Sequence, residues 1–226
     1  MTATVGIVLF PGSNCEYDVA EAVEALGASA RILWHGDGAI ASEIDAVVLP
    51  GGFAHGDALR PGAIARFSPV MQAVARFAAD GGPVVGICNG FQVLTEARLL
   101  PGALQKNRGL AFLCQTVELE VTSDRSVLTA GVPMGTRLRI PVNHFEGNFL
   151  CGPDTLGELE AEGRIVLRYL DNPNGSMADI AGVSNGPGNV VGLMPHPERA
   201  SNRLLGSDDG NVLLGALLQT AGARVA

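Results

Sequence analysis

A cysteine set between two glycines carries the chemistry in this sequence. Residues 83–87 form a short apolar run, which reads as a buried strand. Gly86-Ile87-Cys88-Asn89-Gly90 then turns the chain sharply, and Phe91, Val93, Leu94 and Ala97 set the spacing of a helix. A side chain at such a corner stands at the edge of the sheet, and the flanking glycines leave room for the bend, as in G-x-S-x-G elbows. A helix N-terminus behind the corner offers free N–H groups and positive potential, which favour a thiolate. A lone cysteine is ordinarily a small buried hydrophobe. The paired glycines argue for a nucleophile instead, as does Gln92, which lies one helical turn on and faces the same way.

Met194-Pro195-His196-Pro197-Glu198 supplies the second half of the chemistry. Each proline disfavours helix at the residue before it, so Met194 and His196 are expected to be extended. Residues two apart in extended chain point the same way. His196 and Glu198 would then lie side by side, with the carboxylate on one imidazole nitrogen and the other free to exchange protons with a thiol. An isolated H-P-E tripeptide is more often an exposed turn; the cysteine elbow gives this one its weight. His144 is the competing base, with Glu146 two residues on, but no proline holds that stretch extended and Gly147-Asn148 reads as a turn.

These residues need elements to position them. Residues 5–10, 30–34 and 45–49 read as strands, the first broken by Pro11-Gly12 and the third by Pro50-Gly51-Gly52. Ser13 and Glu16 have capping-box spacing before a helix that ends at Gly27. Residues 53–67 form a long loop, suited to a lid or a contact surface. Ser68-Pro69 opens a helix with proline at its first position. Strands alternating with helices predict an open, mainly parallel, doubly wound α/β sheet with helices on both faces. The turns after the strands can share one rim, where such sheets hold their ligands. Residues 116–121 and 137–142 alternate, which predicts a smaller antiparallel section. Residues 165–170 and 179–183 read as strands joined across Asn172-Pro173-Asn174-Gly175. Residues 190–194 form one more strand, and Leu213, Leu214, Leu217 and Leu218 mark a last helix.

The chain has 226 residues, 47% of them hydrophobic, enough for one domain over residues 1–226. Its formal charge of −8, with no basic patch, argues against nucleic acid or an anionic membrane surface as partner. Lys106 is the single lysine, and it does not close a glycine-rich loop, so the chain has no P-loop for ATP. Neither a C-x-x-C nor an H-E-x-x-H motif occurs, and no metal is expected. Cysteines 15, 88, 114 and 151 have no framework spacing, so free thiols and a cytoplasmic location are expected. No signal peptide or membrane-spanning run is read.

Pro50-Gly51-Gly52, Gly86-Ile87-Cys88-Asn89-Gly90-Phe91-Gln92 and His196-Pro197-Glu198, in that order, resemble the class I glutamine amidotransferases, which have a flavodoxin-like fold. Phe10-Pro-Gly-Ser-Asn-Cys15, Pro50-Gly-Gly-Phe-Ala-His-Gly-Asp57, Gly62-Ala-Ile-Ala-Arg-Phe-Ser-Pro69, Asn172-Pro-Asn-Gly-Ser176 and Met194-Pro-His-Pro-Glu-Arg-Ala200 extend the resemblance over nearly the whole chain, toward a branch serving purine biosynthesis. The resemblance implies Cys88, His196 and Glu198 as catalytic triad and the backbone N–H groups of Gly52 and Asn89 as oxyanion donors. It implies Gln92, Gly51, His144 and Asn148 as contacts for L-glutamine. Asn143-His-Phe-Glu-Gly-Asn148 departs from the family pattern, which has a small residue before the histidine and glycine after it. No cofactor is implied for this chain; ATP and Mg2+ are expected on a larger synthetase subunit, with a small accessory subunit beside it. The competing readings are a related-fold cysteine hydrolase or deglycase, and a non-catalytic regulatory subunit.

Overall fold

The computed structural model describes residues 2–223. In chain order it begins β1 (Thr4–Leu9), α1 (Glu16–Ala25), β2 (Ser29–Trp34), β3 (Ala46–Leu49), α2 (Pro69–Ala79), β4 (Val84–Ile87) and α3 (Asn89–Glu96). It continues β5 (Ala103–Gln105), β6 (Leu113–Val121), β7 (Arg137–His144), β8 (Asn148–Leu150) and α4 (Pro153–Ala161). It ends β9 (Ile165–Tyr169), β10 (Ile180–Ser184), β11 (Val190–Leu193) and α5 (Gly210–Ala223). One sheet of nine strands runs β2-β1-β3-β4-β11-β10-β9-β6-β7. From β2 to β11 the neighbours are parallel, and from β11 to β7 they are antiparallel. The antiparallel section therefore continues the main sheet rather than forming a layer of its own.

Residue pattern explains the division. β3, β4 and β11 are apolar and buried at every position, as strands covered on both faces must be. β6 and β7 bury alternate residues: Val117, Leu119 and Val121 on one, Leu138, Ile140, Val142 and His144 on the other. β4 and β11 carry matching sequences, Val-Val-Gly-Ile and Val-Val-Gly-Leu, and pair in register so that Gly86 lies beside Gly192. α3 lies in the groove these glycines leave. A Cβ at Gly192 would stand 2.0 Å from the Phe91 ring, and one at Gly86 would stand 2.6 Å from Gly90. Phe91 in turn stacks on Phe149, with ring centroids 5.9 Å apart.

At Gly90 the contact is with backbone: a Cβ would stand 2.0 Å from the Leu49 carbonyl oxygen. Both partners are backbone, so neither can swing away. Gly90→Ala is expected to lower stability by about 3 kcal/mol or more and to dislodge the elbow, because overpacking here must move a strand or a helix. Gly157→Ala in α4, where a Cβ meets nothing within 4 Å, is the control and should be neutral or mildly stabilising. Urea-unfolding midpoints of the two variants check this.

Three local features differ from the sequence reading. Ser13 does not cap α1: its Oγ accepts the Phe10 N–H at 3.1 Å and Cys15 takes the cap position. The Ser13 hydroxyl is taken up by the turn after β1 instead. Residues 53–67 contain two short 3-10 turns, Ala54–Asp57 and Ala65–Phe67. Asn148 is not a turn residue but the first of β8, which pairs with β5 in a small ribbon. Three-residue strands leave no periodicity to read.

Turns that follow β1, β3 and β4 meet at one rim. The Asn14 and Cys15 N–H groups both donate to Gly51 O at 3.2 Å, and Phe53 N–H donates to Gly12 O at 2.8 Å. β7 reaches the same rim from the far end of the sheet, where Pro141 O accepts the His196 N–H at 2.9 Å.

Candidate active site

Cys88 sits at the junction of β4 and α3 with φ 50° and ψ −103°. A non-glycine residue in the left-handed region is strained and persists only where its surroundings hold it. Here its N–H donates to Leu193 O at 2.8 Å and its carbonyl accepts the Gln92 N–H at 3.1 Å. The Cys88 Sγ lies 3.7 Å from the Asn143 carbonyl oxygen on β7, and the residue is 5% exposed. Asn89 opens α3, so its N–H has no acceptor within the helix. Gly52, at φ 146°, pairs with Ser13 in a bridge whose hydrogen bonds come from the flanking residues, which leaves its own N–H out of the bridge.

His196 and Glu198 are both buried, and the imidazole Nδ1 lies 2.6 Å from Glu198 Oε1. The route to this pair differs from the extended chain that the prolines predict. His196 is extended, at φ −105° and ψ 86°, but Pro197 opens a 3-10 turn over Pro197–Ala200. That turn carries Glu198 back under the ring, and Ser201 Oγ donates to the Glu198 carbonyl to close it. A proline at the first position of a turn needs no N–H acceptor, so one residue serves both geometries. Burial disfavours charge on His196, but the Glu198 carboxylate and then Cys88 outweigh it and hold the imidazole well above 6.5. Its Nε2 is buried with no partner among the described residues.

Behind the ring lies a third group that sequence reasoning left without a role. Cys15 Sγ accepts from Arg199 Nη2 at 3.1 Å, and ligand atoms of Cys15, His196 and Glu198 lie within 4.8 Å of one another. Arg199 Nε also donates to Asp18 on α1, so the guanidinium clamps α1 to the turn that carries Glu198. The one signal in the sequence was position: Cys15 follows the turn after the first strand, on the rim where the other two turns lie.

Cys88 opens on a cavity of about 300 Å³ lined also by Gly52, Asp57, Gln92, Lys106, His144 and Glu146. A larger groove of about 680 Å³ lies beyond Glu198 and Arg199, against α1, and does not contain Cys88. The smaller cavity is the one where a reacting atom can meet the sulfur. Gln92 forms part of its wall, but both ends of the amide are engaged: Oε1 accepts from Asn89 Nδ2 at 2.8 Å and Nε2 donates to Glu146 O at 2.5 Å. Asn89 Oδ1 accepts the Ala54 N–H at 3.0 Å, which ties the turn after Gly52 to the elbow.

His144 lines the cavity and is buried, with Nδ1 3.1 Å from Asn107 Oδ1. Asn107 Nδ2 donates to the carbonyls of Ala111 and His144, so its oxygen faces the ring and the proton of neutral His144 sits on Nδ1. Burial and then the charge of His196 push its pKa down to about 4. A ring so disposed to stay neutral is a poor general base near neutrality. Gly51 and Asn148 lie outside the cavity. Gly51 backs the His196 ring, where a Cβ would stand 2.6 Å from His196 Cε1. Asn148 reaches the Lys106 carbonyl at 3.5 Å. Sequence reasoning missed Asn107, and also Asn174, whose Nδ2 donates to Gly147 O at 2.8 Å and props the same loop. Buried asparagines at loop ends look like ordinary turn residues in a sequence.

A cysteine elbow at the centre of a parallel sheet, with a buried His–Glu pair delivered from the next strand, is the arrangement of the class I glutamine amidotransferases. The chain belongs to the CobB/CobQ-like glutamine amidotransferase domain family, whose model matches residues 2–208. It is 58% identical to phosphoribosylformylglycinamidine synthase subunit PurQ of Rubrobacter xylanophilus, over 98% of this chain and 99% of that one. It is 54% identical to the subunit of that name from Parasynechococcus marenigrum, over 95% of this chain and 99% of the relative. A chain in the structure of PurLQS from Thermotoga maritima superimposes with a TM-score of 0.89 at 38% identity, covering 97% of this chain and 99% of that one. A glutamine amidotransferase from Thermotoga maritima, at 17% identity and a TM-score of 0.56 over 99% of this chain and 93% of that one, shares the fold.

Proposed function

We propose that this chain is the glutaminase subunit of phosphoribosylformylglycinamidine synthase and that Cys88, His196 and Glu198 are its triad. The buried His196–Glu198 pair beside the Cys88 elbow carries the reading, and near full-length identity to PurQ subunits supports the assignment of the complex.

In this mechanism the Cys88 thiolate attacks the side-chain amide carbon of L-glutamine. The carbonyl oxygen becomes an oxyanion, held by the N–H groups of Gly52 and Asn89, each worth about 3–4 kcal/mol in comparable hydrolases. Collapse breaks the C–N bond, and His196 protonates the departing nitrogen, which leaves as ammonia. A γ-glutamyl thioester remains on Cys88. His196, now neutral, takes a proton from water, the hydroxide displaces the thiolate, and glutamate is released. Glu198 holds the ring in place and favours its charged form.

Ammonia released in water is lost to dilution and protonation, so an acceptor must be close. A larger synthetase subunit would bind ATP, Mg2+ and formylglycinamide ribonucleotide and convert that substrate to the amidine, with a small accessory subunit completing the complex. The chain's own residues bind glutamine and release nitrogen. No helix among the described residues is long and apolar enough to cross a membrane, which accords with work in the cytoplasm.

The loop over residues 53–66 is the surface we assign to the synthetase. It borders the cavity mouth, and Leu59 at its tip is 91% exposed and Phe53 is 50% exposed. His55, Asp57 and Leu59 all take positive φ, so the loop holds strain that a docked partner can offset. Removing its tip is expected to cut glutamine-dependent synthesis by at least about 10-fold while synthesis from added ammonia is kept, in line with the loss of one ordered contact loop. Wild-type coupling after the deletion would refute the assignment. The glutaminase reading itself is tested by ammonia release from glutamine with and without the synthetase and its ligands.

A further inference from the structure

His196 is held by one short bond, Nδ1 to Glu198 Oε1 at 2.6 Å, while its Nε2 has no partner among the described residues. A ring fixed at one nitrogen can still rock about that bond, and a misplacement of about 1 Å at a reacting group costs about 100-fold. A second contact must stop the ring. A Cβ at Gly51 would stand 2.6 Å from His196 Cε1, 3.3 Å from its Nδ1 and 3.1 Å from Cys15 Sγ, so the ring edge and the sulfur flank one point. The backbone ties that point down, because the Cys15 N–H donates to Gly51 O at 3.2 Å. Cys15, His196 and Glu198 are all buried.

The sulfur is itself braced. Arg199 Nη2 donates to Cys15 Sγ at 3.1 Å, and Arg199 Nε donates to Asp18 Oδ2 at 3.1 Å. Arg199 belongs to the 3-10 turn Pro197–Ala200, which also carries Glu198. One guanidinium therefore joins the sulfur to the turn that supplies the carboxylate. Ligand atoms of Cys15, His196 and Glu198 lie within 4.8 Å of one another, a spacing that would suit a divalent cation. The guanidinium 3.1 Å from the sulfur opposes a second positive charge there, which makes the trio a packing unit instead. Neither Cys15 nor Arg199 lines the cavity that holds Cys88. We propose that Cys15 and Arg199 are positioning residues: Arg199 braces the Cys15 sulfur against the His196 ring and so keeps the imidazole in the orientation that serves Cys88. The inference rests on the triad reading and deepens it. Support of this kind decides whether a catalytic side chain stays in its productive geometry.

The test measures glutamine hydrolysis by the complex with the synthetase. Cys15→Ala is expected to lower kcat about 10- to 100-fold, the cost of a loosened base, with KM within about twofold because the cavity wall is untouched. Arg199→Met should match it. Cys15→Ser, which keeps an acceptor for the guanidinium, should recover kcat to within about fivefold of wild type. The double variant Cys15→Ala/Arg199→Met should lose no more than about threefold beyond either single one, because the two residues act as a unit. The ring also gives a reading that needs no turnover. In the full chain carrying isotope-labelled histidine, the His196 Cε1–H signal is one of four. It should be sharp in wild type and in Cys15→Ser, and broadened by exchange in Cys15→Ala and Arg199→Met. Wild-type kcat in Cys15→Ala or Arg199→Met overturns the proposal, as do additive losses in the double variant or a ring signal as sharp in both single variants as in wild type. A loss in Cys15→Ser as deep as in Cys15→Ala overturns it too, since bulk alone would then be what the sulfur supplies. If the wild-type complex releases no ammonia from glutamine, the glutaminase reading fails, and the ring signal still decides whether Cys15 and Arg199 hold His196.

Discussion

Replacing Cys88 with Ser is expected to lower glutamine hydrolysis at least about 10⁴-fold, while synthesis from added ammonia by the assembled complex continues at the wild-type rate. Serine fills nearly the same space, so the elbow at φ 50° and the bonds to Leu193 and Gln92 should survive. What changes is the nucleophile. A hydroxyl is far harder to deprotonate than a thiol, and the fixed dipoles that favour a thiolate at a helix N-terminus do too little for an alkoxide. A loss of 10⁴ corresponds to about 5 kcal/mol of transition-state stabilisation, a lower bound beside the roughly 10⁶-fold that loss of the nucleophile costs in triad hydrolases. The ammonia-dependent rate separates this loss from misfolding or failed assembly. Both rates are read on one preparation. Glutamine-dependent turnover within about tenfold of wild type would remove Cys88 from the mechanism, leaving the regulatory-subunit or other-hydrolase readings.

How far the sequence reveals this site depends on whether a residue acts through its neighbours in the chain. Cys88 does: the glycines that let the elbow close are two residues away, and structure adds only what they touch, Gly90 against Leu49 and Gly86 against Gly90. The parallel strands are legible for a similar reason, since burial on both faces demands unbroken apolar runs. His196 and Glu198 were found as neighbours, although a 3-10 turn rather than extended chain brings them together. What stayed hidden depends on distant pairing. Cys15 meets His196 and Arg199 only because three turns converge on one rim. Gln92 faces the cavity as its spacing implies, yet its amide is consumed holding Asn89 to the Glu146 carbonyl. Gly51 packs against the His196 ring, a contact that spacing cannot announce. The β5–β8 ribbon, which places Lys106 beside the Asn143–Asn148 loop, has strands too short to announce themselves.

Glu198→Gln carries the second large effect, and its sign follows from the proton on His196. The carboxylate is the largest influence raising that pKa, against burial, which lowers it. Glutamine keeps the shape and can still accept from Nδ1, but it brings no charge. The imidazole therefore loses its proton at lower pH, and the alkaline limb of kcat/KM should move down by at least about one unit. Near pH 8 the variant is expected to fall about 10²- to 10⁴-fold, because the acid that protonates departing nitrogen is then missing in most molecules. Stability gives an independent reading. A native pKa raised above 6.5 means that the folded chain holds this proton more tightly than the unfolded chain does. The resulting stabilisation is complete below 6.5 and is lost as pH rises through the native value, so wild-type stability should decline across that window. In Glu198→Gln the decline should flatten. Asp57, whose carboxyl burial pushes up to about 6, is present in both proteins, so its contribution should cancel in the difference. Denaturant-unfolding midpoints from about pH 6 to about pH 9 measure the slope, and parallel curves for the two proteins would mean that Glu198 places the ring without setting its charge.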